Sequence, residues 1–152
     1  MPAAPTVVVA RRVKFVVGLL AMIATLGSAP PASATTDDGW YAAGLVNETR
    51  AWTGTHALSV DGYLSEVAQA WADRMAARGR LAHNPGLAWA MDGWWAWGEN
   101  VGYGDSVAGV HGLFLDSWHH YGNIVDGAYS SIGVGVAHDE WGWVYVVHVF
   151  GG

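Results

Sequence analysis

The chain has 152 residues, 52 % apolar and 13 % charged, so it folds around a core rather than staying disordered, and its length suits one domain. It has no cysteine, which excludes a disulfide-stapled scaffold; either a reducing compartment or a secreted bacterial domain with a sufficient core fits. The formal charge is −6; without Arg11, Arg12 and Lys14, four arginines face thirteen acids, a balance of −9, which argues against nucleic acid and anionic lipid surfaces as partners.

The N-terminus chooses the compartment. Arg11, Arg12 and Lys14 are basic, Val13 to Leu26 is nearly all apolar, and Pro30-Pro31 precedes Ala32-Ser33-Ala34. The apolar run is shorter than the about 20 residues a membrane span needs. Residues 1–34 therefore read as a secretory signal peptide cleaved after Ala34, on the general export route, with an uncleaved anchor as the competing reading. No later segment could span a membrane, so the expected location is secreted, or extracellular.

Residues 35–44 read as a short lead that runs into the first helix, and the domain proper as 45–152. Trp40, Ala43, Gly44, Val46 and Asn47 recur at helical spacing up to about Trp52, with Asp37 or Asp38 as the expected cap. Thr53-Gly54-Thr55 is a stop, and residues 57–60 form an extended link. Asp61 caps a second helix to about Gly79, whose apolar face is Leu64, Val67, Ala68, Trp71, Ala72, Met75 and Ala76. Arg74, Arg78 and Arg80 crowd its C-terminal end, where the helix dipole favours cations.

Leu81 to Gly86 is a turn, and Leu87 to Trp97 is aromatic-rich without a clear period. Glu99 to Tyr103 reads as a short strand or turn. Ser106 caps a third helix through Val110 and Phe114. Ser130 to His138 and Trp143 to Phe150 alternate as two strands of a hairpin about Asp139-Glu140-Trp141-Gly142. The glycines between Ile132, Val134 and Val136 would let helices or large rings approach the sheet closely. Of the ten tryptophans, most are expected in the core; Trp94, Trp95 and Trp97 are the hardest to bury together.

Three titratable side chains recur beside turn formers: His83 next to Asn84, Glu99 next to Gly98, and His120 near Gly122. Segment ends of this kind are where a scaffold presents a site. His119 is expected to point away, and His111 and His148 fall where packing is the default. Asn100 and Asn123 are expected to bond backbone or to shape the cleft.

These motifs, in this order, resemble the CAP superfamily, or SCP-like extracellular domain, which includes cysteine-rich secretory proteins, venom antigens and plant pathogenesis-related proteins. Leu45 to Arg50, Leu64-x3-Ala68-x2-Trp71-Ala72, Leu81-Ala82-His83, Gly98-Glu99-Asn100, Ser117 to Ile124, and the closing Gly133 to Val136 and Tyr145 to Phe150 carry the likeness. The last-but-one element is similar to that of the bacterial branch, with Trp118 and Tyr121 in place of its Pro and Arg. Asp116 and Ser117 stand where animal and plant members carry a second glutamate.

The resemblance implies an α+β fold, an α-β-α sandwich with a small antiparallel sheet. It also implies a cleft where His83, Glu99 and His120 converge, with Asn100 and Asn123 nearby. Two imidazoles with Glu99 in support could bind zinc or another divalent cation; a hydrogen-bonded His–Glu–His network without metal is the alternative. A hydrolase or peptidase reading would take Ser117 as nucleophile, His120 as base and Glu99 as orienter, but no oxyanion loop is visible. The favoured expectation is a non-enzymatic extracellular binding module whose partner is lipid, cell-wall glycan or protein.

Overall fold

The computed structural model describes residues 35–152. The expected signal peptide, residues 1–34, lies outside them.

Helix α1 (Asp37–Trp52) starts where the Thr36 hydroxyl accepts from Gly39 N at 3.1 Å. Thr36, not Asp37 or Asp38, is therefore the cap, and the two aspartates sit in the first turn, where the helix dipole favours acids. Asp37 to Gly39, ahead of the helical pattern that the sequence shows from Trp40, belong to this helix too. The extended link ends in β1 (Ser59–Val60). Helix α2 (Gly62–Arg78) is capped by Asp61 Oδ1 on Leu64 N at 2.9 Å and closed by Gly79 at φ +56°, a left-handed conformation that glycine adopts without strain.

The aromatic-rich stretch resolves into a single turn of helix, α3 (Leu87–Ala90), leading to β2 (Trp97–Gly104). Ser106 caps α4 (Val107–Asp116) through Gly109 N, as its position predicts. A further helix follows, α5 (Trp118–Val125), then the hairpin β3 (Ser131–His138) and β4 (Val144–Gly151). The sheet order is β1-β3-β4-β2. The three long strands are antiparallel, and β1 adds a two-residue parallel pair to β3, so the sheet is mixed rather than purely antiparallel.

Every residue of β4, the central long strand, is buried, because helices cover both faces. On one face α2 packs through Leu64, Ala68, Ala72 and Met75 onto Val147 and Val149. It can lie that close because a Cβ on Gly133 or Gly135 would overlap the backbone of Leu64 or Ala68. On the other face Val46 of α1, Val110 and Phe114 of α4 and Ile124 of α5 pack onto Ile132, Val134, Val146 and Phe150. The result is the three-layer sandwich that the resemblance implies.

Arg50 ties the second face together. Its guanidinium is fully buried and donates to the carbonyls of His56 (2.6 Å), Ile124 (2.9 Å), Asp126 (2.8 Å) and Tyr129 (3.3 Å). Burial lowers its pKa, and the nearby Asp126 opposes that shift.

The tryptophans depart from expectation. Trp71 is buried and Trp94 half-buried, but Trp40, Trp52, Trp89, Trp95, Trp97, Trp118, Trp141 and Trp143 are exposed. The space between close-packed layers is filled by Val, Ile, Leu, Met and Phe, and most of the indoles fall on outer helix faces, loops and the hairpin end.

Candidate functional site

Strand β2 lies at the edge of the sheet, and its register decides which groups reach the site. Gly152 N donates to Ala96 O at 3.0 Å, so even-numbered residues of β2 exchange backbone bonds with β4. The backbone groups of Glu99, Val101 and Tyr103 therefore face the free edge. The Glu99 carbonyl accepts there from Asn123 Nδ2 at 3.3 Å.

Helix α5 is docked on this edge by two amides. Asn100 is fully buried; its Nδ2 donates to the His120 carbonyl at 3.0 Å, and its Oδ1 accepts from Asn123 Nδ2 at 2.9 Å. Gly98 makes room, since a Cβ there would stand 2.6 Å from the Tyr129 hydroxyl and 3.1 Å from Asn123 Oδ1. Gly98-Glu99-Asn100 thus acts as a unit: a gap for α5, a carboxylate for the loop after α2, and an amide that seats the helix bearing His120.

Glu99 is buried and reaches across to that loop. Its Oε1 accepts from His83 Nδ1 at 2.7 Å and from Asn84 N at 3.0 Å. The side chains are 4 % exposed for Glu99 and 64 % for His83, so a buried carboxylate fixes an open imidazole. In the tautomer whose Nδ1–H donates to Glu99, Nε2 of the ring is left as the outward acceptor. The other carboxylate oxygen, Oε2, is buried with no hydrogen-bond partner among the described residues.

His120 is half-buried, edge-on to Phe114 with ring centroids 5.1 Å apart. Its pKa is lowered by burial first, then by His83 and His119. The two imidazoles make no hydrogen bond to each other among the described residues: His83 bonds Glu99, and the His120 backbone carbonyl accepts from Asn100. His119 instead lies tilted by 30° against exposed Trp118, with centroids 3.3 Å apart.

Two hollows open beside these groups. One, about 350 Å³, is lined by His83, Asn84, Pro85, Trp97 and Glu99. The other, about 240 Å³, runs along the free edge at Val101 and Tyr103 and is lined by Leu81, Leu113, Ser117 and His120. The first is rimmed by an imidazole and a carboxylate; the second is mostly apolar.

The serine arrangement is not assembled. Ser117 begins α5 and its carbonyl accepts from Tyr121 N at 2.8 Å, but its hydroxyl has no bond to His120 among the described residues. Glu99 orients His83 rather than His120. Nor does any group of three or more His, Cys, Asp or Glu side chains stand ready to hold a metal ion among the described residues.

His111 and His148, expected to pack, are both buried. His148 is 1 % exposed, edge-on to Phe114 at 5.0 Å, and its pKa is pushed down to about 3 by burial, then by His111 and His120. His111 bonds Thr49 Oγ1 through Nε2 at 3.0 Å, and burial lowers its pKa as well, against the nearby Glu48. Nδ1 of each has no partner among the described residues. Periodicity put both on core elements, and the structure buries both there.

Comparison with known proteins agrees with this geometry. A search of curated proteins finds no match. Among solved structures, an outer surface protein from Borrelia burgdorferi superposes with TM-score 0.69 at 17 % identity, over 78 % of this chain and 95 % of that one. An extracellular SCP-domain protein from Bacillus anthracis gives 0.63 at 23 % identity, over 74 % of this chain and 39 % of that one. Venom allergen-like protein 4 of Schistosoma mansoni gives 0.64 at 12 % identity, over 77 % and 90 %. These likenesses establish the fold. The sequence profile of the Cysteine-rich secretory protein family, CAP, matches residues 43–150, and the chain belongs to that family.

Proposed function

We propose that this chain is a secreted, non-enzymatic binding module whose ligand enters at the rim shared by His83, Glu99 and His120. The observation that carries this reading is the fixed imidazole: a buried carboxylate holds exposed His83 in one orientation where a hollow meets the sheet edge. Such preorganisation favours recognition, because the ring loses little freedom when a ligand arrives. An acyl-transfer site would instead need a hydroxyl in contact with its base, and Ser117 makes no such contact. Extracellular placement is supported by the signal-like N-terminus and by relatives described as extracellular or outer-surface proteins. The ligand class is a lipid, a cell-wall glycan or a protein segment; the acidic balance argues against nucleic acid.

A second reading gives the same rim a divalent cation, zinc first. It is favoured by the carboxylate-to-imidazole bond, which is how metal-binding histidines are commonly oriented, and by the unpartnered Oε2. His83 and His120 would be the ligands, with Glu99 behind His83. Two imidazoles are fewer than the about three protein ligands of a stable zinc site.

Calorimetric zinc titration of wild type, His83→Ala and His120→Ala separates the readings. Heat in wild type that both variants lose establishes the metal; equal traces in all three remove it. Turnover of a peptide and ester panel by wild type but not by Ser117→Ala would overturn the non-enzymatic reading.

A further inference from the structure

The described residues contain no lysine and four arginines, and one of those, Arg50, is fully buried. The other three, Arg74, Arg78 and Arg80, are exposed and line a single hollow of about 230 Å³, together with His83, over a floor that includes Trp71 and Met75. All the exposed fixed positive charge of a domain with a balance of −9 is thus gathered in one place. None of the three makes an ion pair among the described residues.

The helix dipole accounts for part of this. Arg78 stands in the last turn of α2, where a cation is favoured. Arg74 lies a turn earlier, and Arg80 lies past the Gly79 cap. Solubility does not require them either, since the surface is already strongly acidic. Asp73, Asp139 and Glu140 share a separate hollow with Arg78 on the other side of the α2 terminus, without pairing to it. Three unpaired guanidinium forks around a concave surface match the oxygens of a phosphate group better than a single carboxylate, because each fork can take two oxygens and the summed charge suits a dianion.

We propose that this hollow is a binding site for a phosphate-bearing ligand, the phosphate held by Arg74, Arg78 and Arg80 and the rest of the ligand lying over Trp71 toward His83. The acidity of the remaining surface opposes approach to an anionic bilayer or a polyanionic polymer, so the phosphate comes from a small soluble phosphoester rather than a lipid head group. The site does not depend on what the His83/Glu99/His120 rim binds.

The test follows the arginine Nε–Hε signals of the protein by NMR during titration with inorganic phosphate, and again with glycerol phosphate. Sodium chloride at equal ionic strength is the control for screening. Saturable shifts at the three arginines, absent with chloride, are expected. Replacing Arg74, Arg78 and Arg80 together with glutamine should weaken binding by about tenfold or more, as charge-assisted bonds are lost. The three residues are exposed, so an unchanged circular dichroism melt verifies that the variant is folded. Lysine at all three positions should recover part of the affinity, since charge returns without the forks.

His120→Ala, which removes the rim's second imidazole but lines no part of this hollow, should retain phosphate binding, which keeps this result separate from the fate of the rim. Co-sedimentation with phosphatidylglycerol vesicles, but not phosphatidylcholine, that the glutamine variant loses would keep the site and assign its phosphate to a lipid. Equal shifts with chloride, or wild-type affinity in the glutamine variant, would overturn the proposal.

Discussion

Nδ1 of His83 lies 2.7 Å from Oε1 of Glu99, and the same oxygen accepts from Asn84 N at 3.0 Å. One buried carboxylate therefore holds both a side chain and the backbone of the loop that leaves α2. In Glu99→Ala the Asn84 amide loses its acceptor and the imidazole its anchor. A loss of about 1–3 kcal/mol in urea-measured stability is expected, with faster amide exchange at Asn84. Unchanged exchange there would show that the loop is held by something else.

Gly133 and Gly135 are where α2 meets the sheet. A methyl group at either position would overlap the backbone of Leu64 or Ala68. Backbone cannot rotate aside as a side chain can, so the helix must lift off. Gly133→Ala should cost about 3 kcal/mol or more and lower the melting temperature sharply. Gly112→Ala is the control: its Cβ would meet nothing within 4 Å, and a helical alanine there should be neutral or stabilising.

Arg50 donates to four carbonyls from two separate stretches of chain, His56 and Ile124 to Tyr129. In Arg50→Met the aliphatic stem is kept, but those carbonyls lose their donors inside the fold. About 3–5 kcal/mol of destabilisation is expected by chemical denaturation, with the largest rise in amide exchange after α5.

Acid should weaken the fold through the buried imidazoles. His148, His111 and His120 all have folded pKa values below the ordinary 6.5, with burial as the main cause. The unfolded chain then binds more protons than the folded one below pH 6.5, so the stability is complete above that value and falls as the pH drops. For His148 the loss continues down to about pH 3. Unfolding free energies from urea titrations at pH 7 to pH 4 should fall, by up to about 1.4 kcal/mol per pH unit for each such group. His148→Leu should flatten the curve without abolishing it, because His111 and His120 remain. A slope identical to wild type would exclude His148 as a source.

The sequence determined the elements whose pattern is local. Asp61, the 3.6-residue apolar stripe and Gly79 mark α2 from end to end, and Ser106 marks the start of α4. Alternation in 131–138 and 144–151 marks the hairpin, and the ordered motifs were enough to name the family. Local pattern could not place the start of α1, because a threonine and two aspartates in a row are all good caps and only the bond to Gly39 N selects Thr36. It also misjudged the tryptophans, because an indole's apolar area does not say whether a small domain has room for it.

Tertiary structure alone decided which of the candidate groups meet. That Glu99 serves His83 rather than His120, that Asn100 and Asn123 seat α5 on the sheet edge, and that three arginines and His83 border one hollow are all consequences of chain crossings. Residues 16 to 24 apart in sequence meet there because β2 runs at the edge of a twisted sheet between a loop and a helix. Such meetings depend on how layers stack, and no period within a single segment encodes that.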